Sequence, residues 1–202
     1  ILDVAQRLFL EKGYENTTIQ DIVNELGGLT KGAVYHHFKS KEEIMDAVGD
    51  RMFFENNPFE AARGRTDLNG LQKLREVIRL YQSDAARTSV TVQSIPLTRN
   101  PRVLVGMIDA NRRILTPYFL ELIEEGNRDG SIHTEYAKEI AELLPLLTSL
   151  WLLPSVFPAT KEEMRRKFSF IGEMMEKIGV PLFDDTIQRL VDEFFKQIPD
   201  LK

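Results

Sequence analysis

Cysteine is absent from this chain of 202 residues, and long apolar runs are scarce. Without cysteine the chain has no disulfides, no iron–sulfur cluster and no cysteine-based zinc site. The one uncharged stretch of note, residues 143–157, is shorter than the ~20 residues that a spanning helix needs. Pro145 and Pro154 also interrupt it. We therefore expect a buried helix or a dimer interface there, no membrane association and a cytoplasmic location.

Motifs for metal or phosphate chemistry are also missing. None of the three histidines follows a glutamate by three residues, and no His-Glu-x-x-His occurs. Residues 27–32 have neither the spacing of a P-loop nor a strand before them. We predict no cofactor and no metal, and enzymatic activity is the weaker alternative.

Helical periodicity dominates what is present, and an all-α fold is predicted. Four short helices fill residues 1–55, with Thr17 and Gln20 read as a capping box at the second. Asn57-Pro58 and Gly64 then mark a boundary. Beyond it, in residues 56–202, the pattern predicts longer helices near 68–94, 101–127, 135–153, 161–178 and 184–197.

The charge distribution singles out the third short helix. The formal net charge of the chain is -5, which argues against a generally basic nucleic-acid binder. Residues 29–41, however, contain three lysines, two histidines and no acidic residue. A DNA-binding protein needs only a positive face, since phosphate contacts are local. With the tight turn at Gly27-Gly28 before it, this helix completes a helix-turn-helix arrangement.

The residues of the third helix suit entry into a DNA groove. Val34 and Phe38, four apart, are predicted to anchor it inward, with His37 packed beside them. Small residues at its start permit close approach to base edges, and lysine donates to guanine acceptors or to phosphate. The predicted DNA contacts are Thr17, Thr18, Thr30, Lys31, Gly32, Ala33, Tyr35, His36, Lys39 and Lys41.

Two segments resemble the DNA-binding region of the TetR (tetracycline repressor) family: residues 17–23 and residues 31–43. Residues 8–14 are also similar to the end of that family's first helix, while the turn at 27–30 is one residue longer than the family pattern. The resemblance covers roughly residues 1–55. It implies a three-helix helix-turn-helix domain followed, in residues 56–202, by a larger helical ligand-binding and dimerisation domain. It also implies a repressor of double-stranded operator DNA.

The resemblance further implies a pocket for an apolar small-molecule effector in the C-terminal domain. Large apolar side chains there are core residues by default, and pockets between helices are a common location for ligands. The candidates for the pocket are Met52, Phe53, Tyr81, Met107, Tyr118 and Trp151.

A homodimer is expected because one recognition helix covers only a few base pairs, whereas two-fold pairing reads both halves of a palindrome. The helices at 135–153 and 161–178 are the main candidates for the interface, and the final helix is a second candidate that could instead cap the core. The residues are Leu143, Leu147, Leu150, Met164, Phe168, Ile171 and Met175, and on the final helix Ile187, Leu190, Val191, Phe194 and Phe195.

Two other interpretations of the sequence stay open at this point. A helical enzyme or small-molecule binder with an incidental helix-turn-helix would not require the acid-free segment. A protein-interaction module would need that positive face to meet an acidic partner. The chain also begins at Ile1, inside the first predicted helix, so we expect residues to precede it.

Overall fold

The computed structural model describes residues 1–55, 57–83 and 98–197, and within these ranges the regular structure is helical, without strands. The predicted all-α class is thus confirmed. The helices are α1 (Leu2–Lys12), α2 (Ile19–Glu25), α3 (Lys31–His37), α4 (Lys41–Glu55), α5 (Pro58–Arg63), α6 (Gly70–Ser83), α7 (Pro101–Ala110), α8 (Thr116–Asp129), α9 (Ala137–Leu146), α10 (Lys161–Lys177) and α11 (Asp185–Gln197).

Most of these helices match the sequence prediction. The short α5 was not predicted, and the part of the predicted 68–94 helix beyond Ser83 lies outside the described residues. α7 continues into α8 through a π-helical segment, Asn111–Leu115, and α9 is extended by a second one, Leu147–Trp151. Pro117 lies just after the first π segment. Because proline has no N–H and clashes with the preceding turn, it disrupts the regular hydrogen-bond ladder there.

The cap of α2 corrects the sequence analysis. Thr18, not Thr17, is the N-cap, and its partner in the capping box is Asp21 rather than Gln20. The Thr18 hydroxyl accepts from the Asp21 N–H, and the Asp21 carboxylate accepts from the Thr18 N–H at 2.8 Å. Thr17 is instead buried, and its hydroxyl lies within hydrogen-bonding distance of the carbonyls of Leu8 and Gly13.

The described residues form two compact units, which we call unit 1 (residues 1–55, 57 and 98–107) and unit 2 (residues 58–83 and 108–197). The second unit begins close to the boundary predicted at residue 56, whereas the inclusion of residues 98–107 in the first was not anticipated. The buried core of unit 1 comprises Ala5, Leu8, Phe9, Tyr14, Ile22, Val34, Ile44 and Val48.

Residues 98–107 attach to unit 1 through both apolar and polar contacts. Val103 packs against the core of the unit. The Arg102 guanidinium pairs with the Glu42 carboxylate, and the side-chain amide of Asn100 donates to Glu15. The start of α7 therefore contacts the turn after α1 and the first turn of α4.

Unit 2 is built on close helix packing. A Cβ at Gly70 would overlap the backbone of Gly126, so Gly70 lets α6 approach α8 closely. An ion pair between the buried Lys73 and the half-buried Glu125, 2.7 Å apart, joins the same two helices. Further along, Met164 of α10 packs with Ile187 and Val191 of α11.

Candidate nucleic-acid interface

Helix α3 is attached to unit 1 by very little of its own surface. Val34 is its one buried residue, and Phe38, just after the helix, is half-buried against the same core. His37, predicted to pack inward, is exposed, because the two inward positions one turn apart are already filled by Val34 and Phe38. The helix therefore presents most of its side chains to solvent.

The start of α3 is defined by a cap and a glycine turn. The Thr30 hydroxyl accepts a hydrogen bond from the Ala33 N–H at 3.2 Å, as predicted for a helix N-cap. Before it, Gly27 has φ +60°, a left-handed conformation that glycine adopts without steric cost. This turn separates α2 from α3 and leaves Leu29 43% exposed.

The predicted DNA contacts, apart from Thr17 and Lys41, lie at the surface. Lys31 lies 5.9 Å from the centroid of the Tyr35 ring, so the ammonium and the phenol belong to one face. After α3, the Glu43 carboxylate accepts from the Lys39 N–H at 2.6 Å. Thr18, Thr30, Lys31, Gly32, Tyr35, His36 and Lys39 are exposed and Ala33 is half-buried.

Two of the predicted contacts have roles inside the protein. Because the Thr17 hydroxyl is buried and directed at carbonyls of unit 1, we withdraw it as a phosphate donor. Lys41 is half-buried, donates to the Tyr14 carbonyl at 2.7 Å, and lies 4.2 Å from the Tyr14 ring centroid. An ammonium has three donors, so Lys41 can hold α4 to the end of α1 and still donate elsewhere.

Ionisable residues also surround the contact between Lys41 and Tyr14. Burial, followed by the charge of Glu42, raises the pKa of Tyr14 to about 12. Hydrogen bonds from the Glu42 backbone N–H, from Ser40 and from Arg102 lower the pKa of Glu42 to about 2. At neutral pH, Tyr14 is therefore neutral and Glu42 is charged. Glu42 and Arg102 could not be paired from the sequence, because they are 60 positions apart and no local pattern joins them.

The residues predicted to line an effector pocket fall in different surroundings. In unit 1, Met52 packs against the core, the Phe53 ring lies 5.2 Å from that of Phe54, and Met107 is half-buried. In unit 2, Tyr81 is 43% exposed.

The two other aromatic candidates in unit 2 have separate neighbours. The Tyr118 ring stacks on Phe59 at 5.1 Å, whereas Trp151 meets Phe170 edge-on at 5.8 Å. The pocket therefore stays a prediction.

The predicted dimer interface needs a correction. Met164, Ile171 and Met175 are buried in the core of unit 2, so they have no surface left for a partner. Leu143 is exposed, and Leu147, Leu150 and Phe168 are half-buried. On the final helix, Ile187 and Val191 are buried and Leu190 packs beside them, which agrees with the alternative that this helix caps the core. The side chains of Phe194 and Phe195 lie outside the described part.

A different set of aromatic residues lies at the surface of α10 and the loop before it. Phe157 and Phe170 are about half exposed, and Trp151 is half-buried against Phe170. The Lys167 ammonium lies 5.2 Å from the Trp151 ring and 5.4 Å from the Phe157 ring. We call Trp151, Phe157 and Phe170 the aromatic patch. Helical periodicity predicted correctly that α10 is amphipathic. The prediction of which residues of α10 lie at the surface was wrong.

The exposed, acid-free α3, preceded by a glycine turn and the bracing helix α2, defines a helix-turn-helix DNA-binding protein. Residues 1–48 match the family described as bacterial regulatory proteins, tetR family. The HTH-type transcriptional repressor KstR2 of Rhodococcus jostii is 44% identical over 150 residues, which cover 70% of each chain. The chain therefore belongs to the TetR family, and it is a DNA-binding transcriptional regulator.

Further comparisons agree with this assignment. The regulator TtgR of Pseudomonas putida is 42% identical over 52 residues, 26% of this chain and 24% of its own. A solved tetR family regulator from Shewanella sp. PV-4 shares the fold with a TM-score of 0.57 at 18% identity, covering all of this chain and 96% of its own. Family and relatives are regulators, so the enzyme alternative is set aside. No helix in the described ranges is long and apolar enough to cross a membrane.

Proposed function

We propose that the protein is a cytoplasmic, effector-responsive repressor that binds a palindromic operator as a homodimer. The observation that carries the proposal is the exposure of α3, which buries Val34 and leaves a lysine-bearing face without acidic residues. The name of its relative KstR2, a repressor, supports repression rather than activation.

In this proposal the two ends of the exposed face have different tasks. Lys31 and Gly32, at the start of α3, reach base edges in the major groove. Tyr35, His36 and Lys39 donate to phosphate oxygens, which hold the register without reading the sequence. Thr18 supplies a further phosphate contact from the start of α2, and Thr30, Ala33 and Lys41 flank these contacts.

The test is operator affinity measured by fluorescence anisotropy with DNA from upstream of the gene itself. Lys31→Ala is expected to weaken binding ~10- to 100-fold, the range for one specific contact, and to reduce discrimination against altered sites. Lys39→Ala, assigned to phosphate, should weaken binding to all sequences equally and flatten the dependence on salt.

Lys138→Ala is the matched control, because it removes the same charge from an exposed position of α9. We expect its operator affinity to equal that of the wild type. Wild-type affinity in both Lys31→Ala and Lys39→Ala would refute the assignment of this face.

For the homodimer, the aromatic patch is the proposed centre of the interface. Exposed apolar groups are costly in water unless a partner covers them, and aromatic side chains dominate interface energetics. An effector then acts by preferring the conformation whose two recognition helices do not match the half-sites, since only such a preference shifts the equilibrium.

A further inference from the structure

The start of α4 carries opposed charges beside the predicted DNA contacts. Residues 39–43 contain two lysines, Lys39 and Lys41, and two glutamates, Glu42 and Glu43, so their formal charges cancel. Glu42 keeps its charge at neutral pH, because hydrogen bonds, first from its own backbone N–H, lower its pKa to about 2. A phosphate that contacts either lysine therefore meets a stretch of chain without a net charge of its own.

Glu42 lies close to the ammonium of Lys41. Both side chains reach Tyr14: the Lys41 ammonium lies 4.2 Å from the ring centroid, and the charge of Glu42 acts on the phenol. Exposed charges act on one another over a Debye length of ~8–10 Å at physiological salt. A phosphate bound by Lys41 is thus within reach of the Glu42 carboxylate, whose like charge opposes its binding.

The charge that offsets Glu42 comes from the second segment of unit 1, residues 98–107. The Arg102 guanidinium pairs with the Glu42 carboxylate, and the Arg102 side chain is 73% exposed. Counted together, Arg102 and residues 39–43 carry three positive and two negative charges, a net charge of +1. An ion pair this exposed adds little to stability, so its main consequence is the sign of the charge at this surface.

The first turn of α7 holds Arg102 in this position. Asn100 directly precedes the helix, and its Oδ1 accepts a hydrogen bond from the Arg102 N–H at 2.9 Å. The Asn100 amide donates in turn to the Glu15 carboxylate, and Val103 packs against the core of unit 1. Apolar and polar contacts therefore fix the backbone of Arg102 on unit 1, which directs its side chain at α4.

We propose that Arg102 is a positioning residue for DNA binding: its pairing with Glu42 leaves the start of α4 net positive, so that a phosphate is drawn to the lysines there; this rests on the proposed phosphate contacts. Arg102 lies 60 positions beyond Glu42 and outside residues 1–48, which match the family. Because a neutralised carboxylate reads no bases, its effect is the same for DNA of any sequence.

The test is a double-mutant cycle on the full chain, with affinity measured by fluorescence anisotropy for DNA from upstream of the gene and for a labelled duplex of unrelated sequence. Arg102→Gln is expected to weaken binding to both duplexes about three- to tenfold, since one charge is lost at close range. Glu42→Gln should bind at least as tightly as the wild type. The double variant should return to about wild-type affinity, because the net charge of this surface is again +1.

Matched variants separate charge from structure. Arg102→Lys keeps the charge and should keep wild-type affinity. Arg112→Gln removes the same charge from a similar ion pair of unit 2, since Arg112 is 74% exposed and pairs with Asp109, and it should leave affinity unchanged. The loss caused by Arg102→Gln should shrink as salt is added, because salt screens exposed charges. Melting temperatures check that each variant is folded.

Three results would overturn the proposal. Equal losses in Arg102→Gln and Glu42→Gln would show that the pair serves to attach α7. The same loss from Arg102→Gln in the wild type and in the Glu42→Gln background would show that Arg102 contacts phosphate directly. Wild-type affinity in Arg102→Gln would remove the residue from DNA binding altogether.

The two proposals fail separately. If the cycle gives the expected pattern but Lys31→Ala and Lys39→Ala bind as the wild type does, the assignment of the α3 face is wrong and the role of Arg102 stands. If both α3 variants lose affinity and Arg102→Gln does not, the role of Arg102 is wrong and the repressor proposal stands.

Discussion

Helices α3 and α10 differ in how much of their surface the protein buries. α3 buries only Val34, whereas α10 buries Met164, Ile171, Gly172 and Met175. The exposed side chains of α3 are lysine, tyrosine and histidine, while α10 exposes charged residues together with Phe170. A helix that enters a DNA groove buries few of its side chains in its own protein, whereas a helix that supports a core buries many.

The difference has an energetic meaning. A helix with one buried anchor contributes little to the core, so substitutions on its outer face change DNA binding more than stability. A helix with four buried positions contributes through apolar burial and close packing. The comparison therefore predicts which property each substitution affects.

The largest expected effect is on the buried face of α10. Ile171→Ala should lower the free energy of unfolding by about 2–5 kcal/mol, because Ile171 has no exposed surface and its loss leaves a cavity. Phe170→Ala, one position along and 55% exposed, should leave monomer stability nearly unchanged and weaken the dimer ~10-fold, about 1.4 kcal/mol.

Urea unfolding measures the first effect of that pair, and sedimentation equilibrium measures the second. A monomer–dimer equilibrium unaffected by Phe170→Ala would remove the aromatic patch from the interface. A large loss of stability in that same variant would contradict the separation of the two faces of α10.

A pair of threonine caps sharpens the comparison. Thr160 caps α10 within a reciprocal box with Glu163, whereas Thr30 caps α3 by one bond to Ala33. Thr160→Ala should cost about 1 kcal/mol of global stability. Thr30→Ala should unravel only the start of α3, and we expect it to reduce operator affinity more than melting temperature. Serine at either position keeps the accepting oxygen and should restore wild-type behaviour.

The smallest effect concerns Glu42 at the start of α4. Its pKa is lowered in the folded protein from the ordinary 4.5 to about 2, so the charged carboxylate favours the folded state. That stabilisation is complete above about pH 4.5 and is lost as the pH falls toward 2. Thermal melts of Glu42→Gln and wild type should therefore differ at pH 6 and converge near pH 2. A difference that stays constant with pH would exclude the carboxylate as its cause.

Sequence patterns predicted the helices of this fold and the exposed residues of α3 well. Val34 was placed inward because its position follows from spacing within a few residues. Contacts between distant segments could not be read in this way. The pair Arg102–Glu42 and the bond Asn111–Ser149 depend on how helices pack, and no period in the sequence encodes them.

The same limit explains the errors. Periodicity showed that α10 has an apolar face but not which residues a neighbouring helix covers, so Met164, Ile171 and Met175 were assigned to the wrong surface. At Thr17 the pattern offered two adjacent threonines, and the choice between them depended on the carbonyls at the end of α1. His37 was predicted to pack inward, but Val34 and Phe38 already fill the inward positions.

The attachment of residues 98–107 to unit 1 affects any attempt to exchange DNA-binding domains between regulators. A chimera that transplants residues 1–57 alone would leave behind three residues that unit 1 contacts. Val103 packs against the core of the unit, Arg102 pairs with Glu42, and Asn100 donates to Glu15. The portable DNA-binding module is thus discontinuous in the chain, and a successful graft has to carry the second segment with the first.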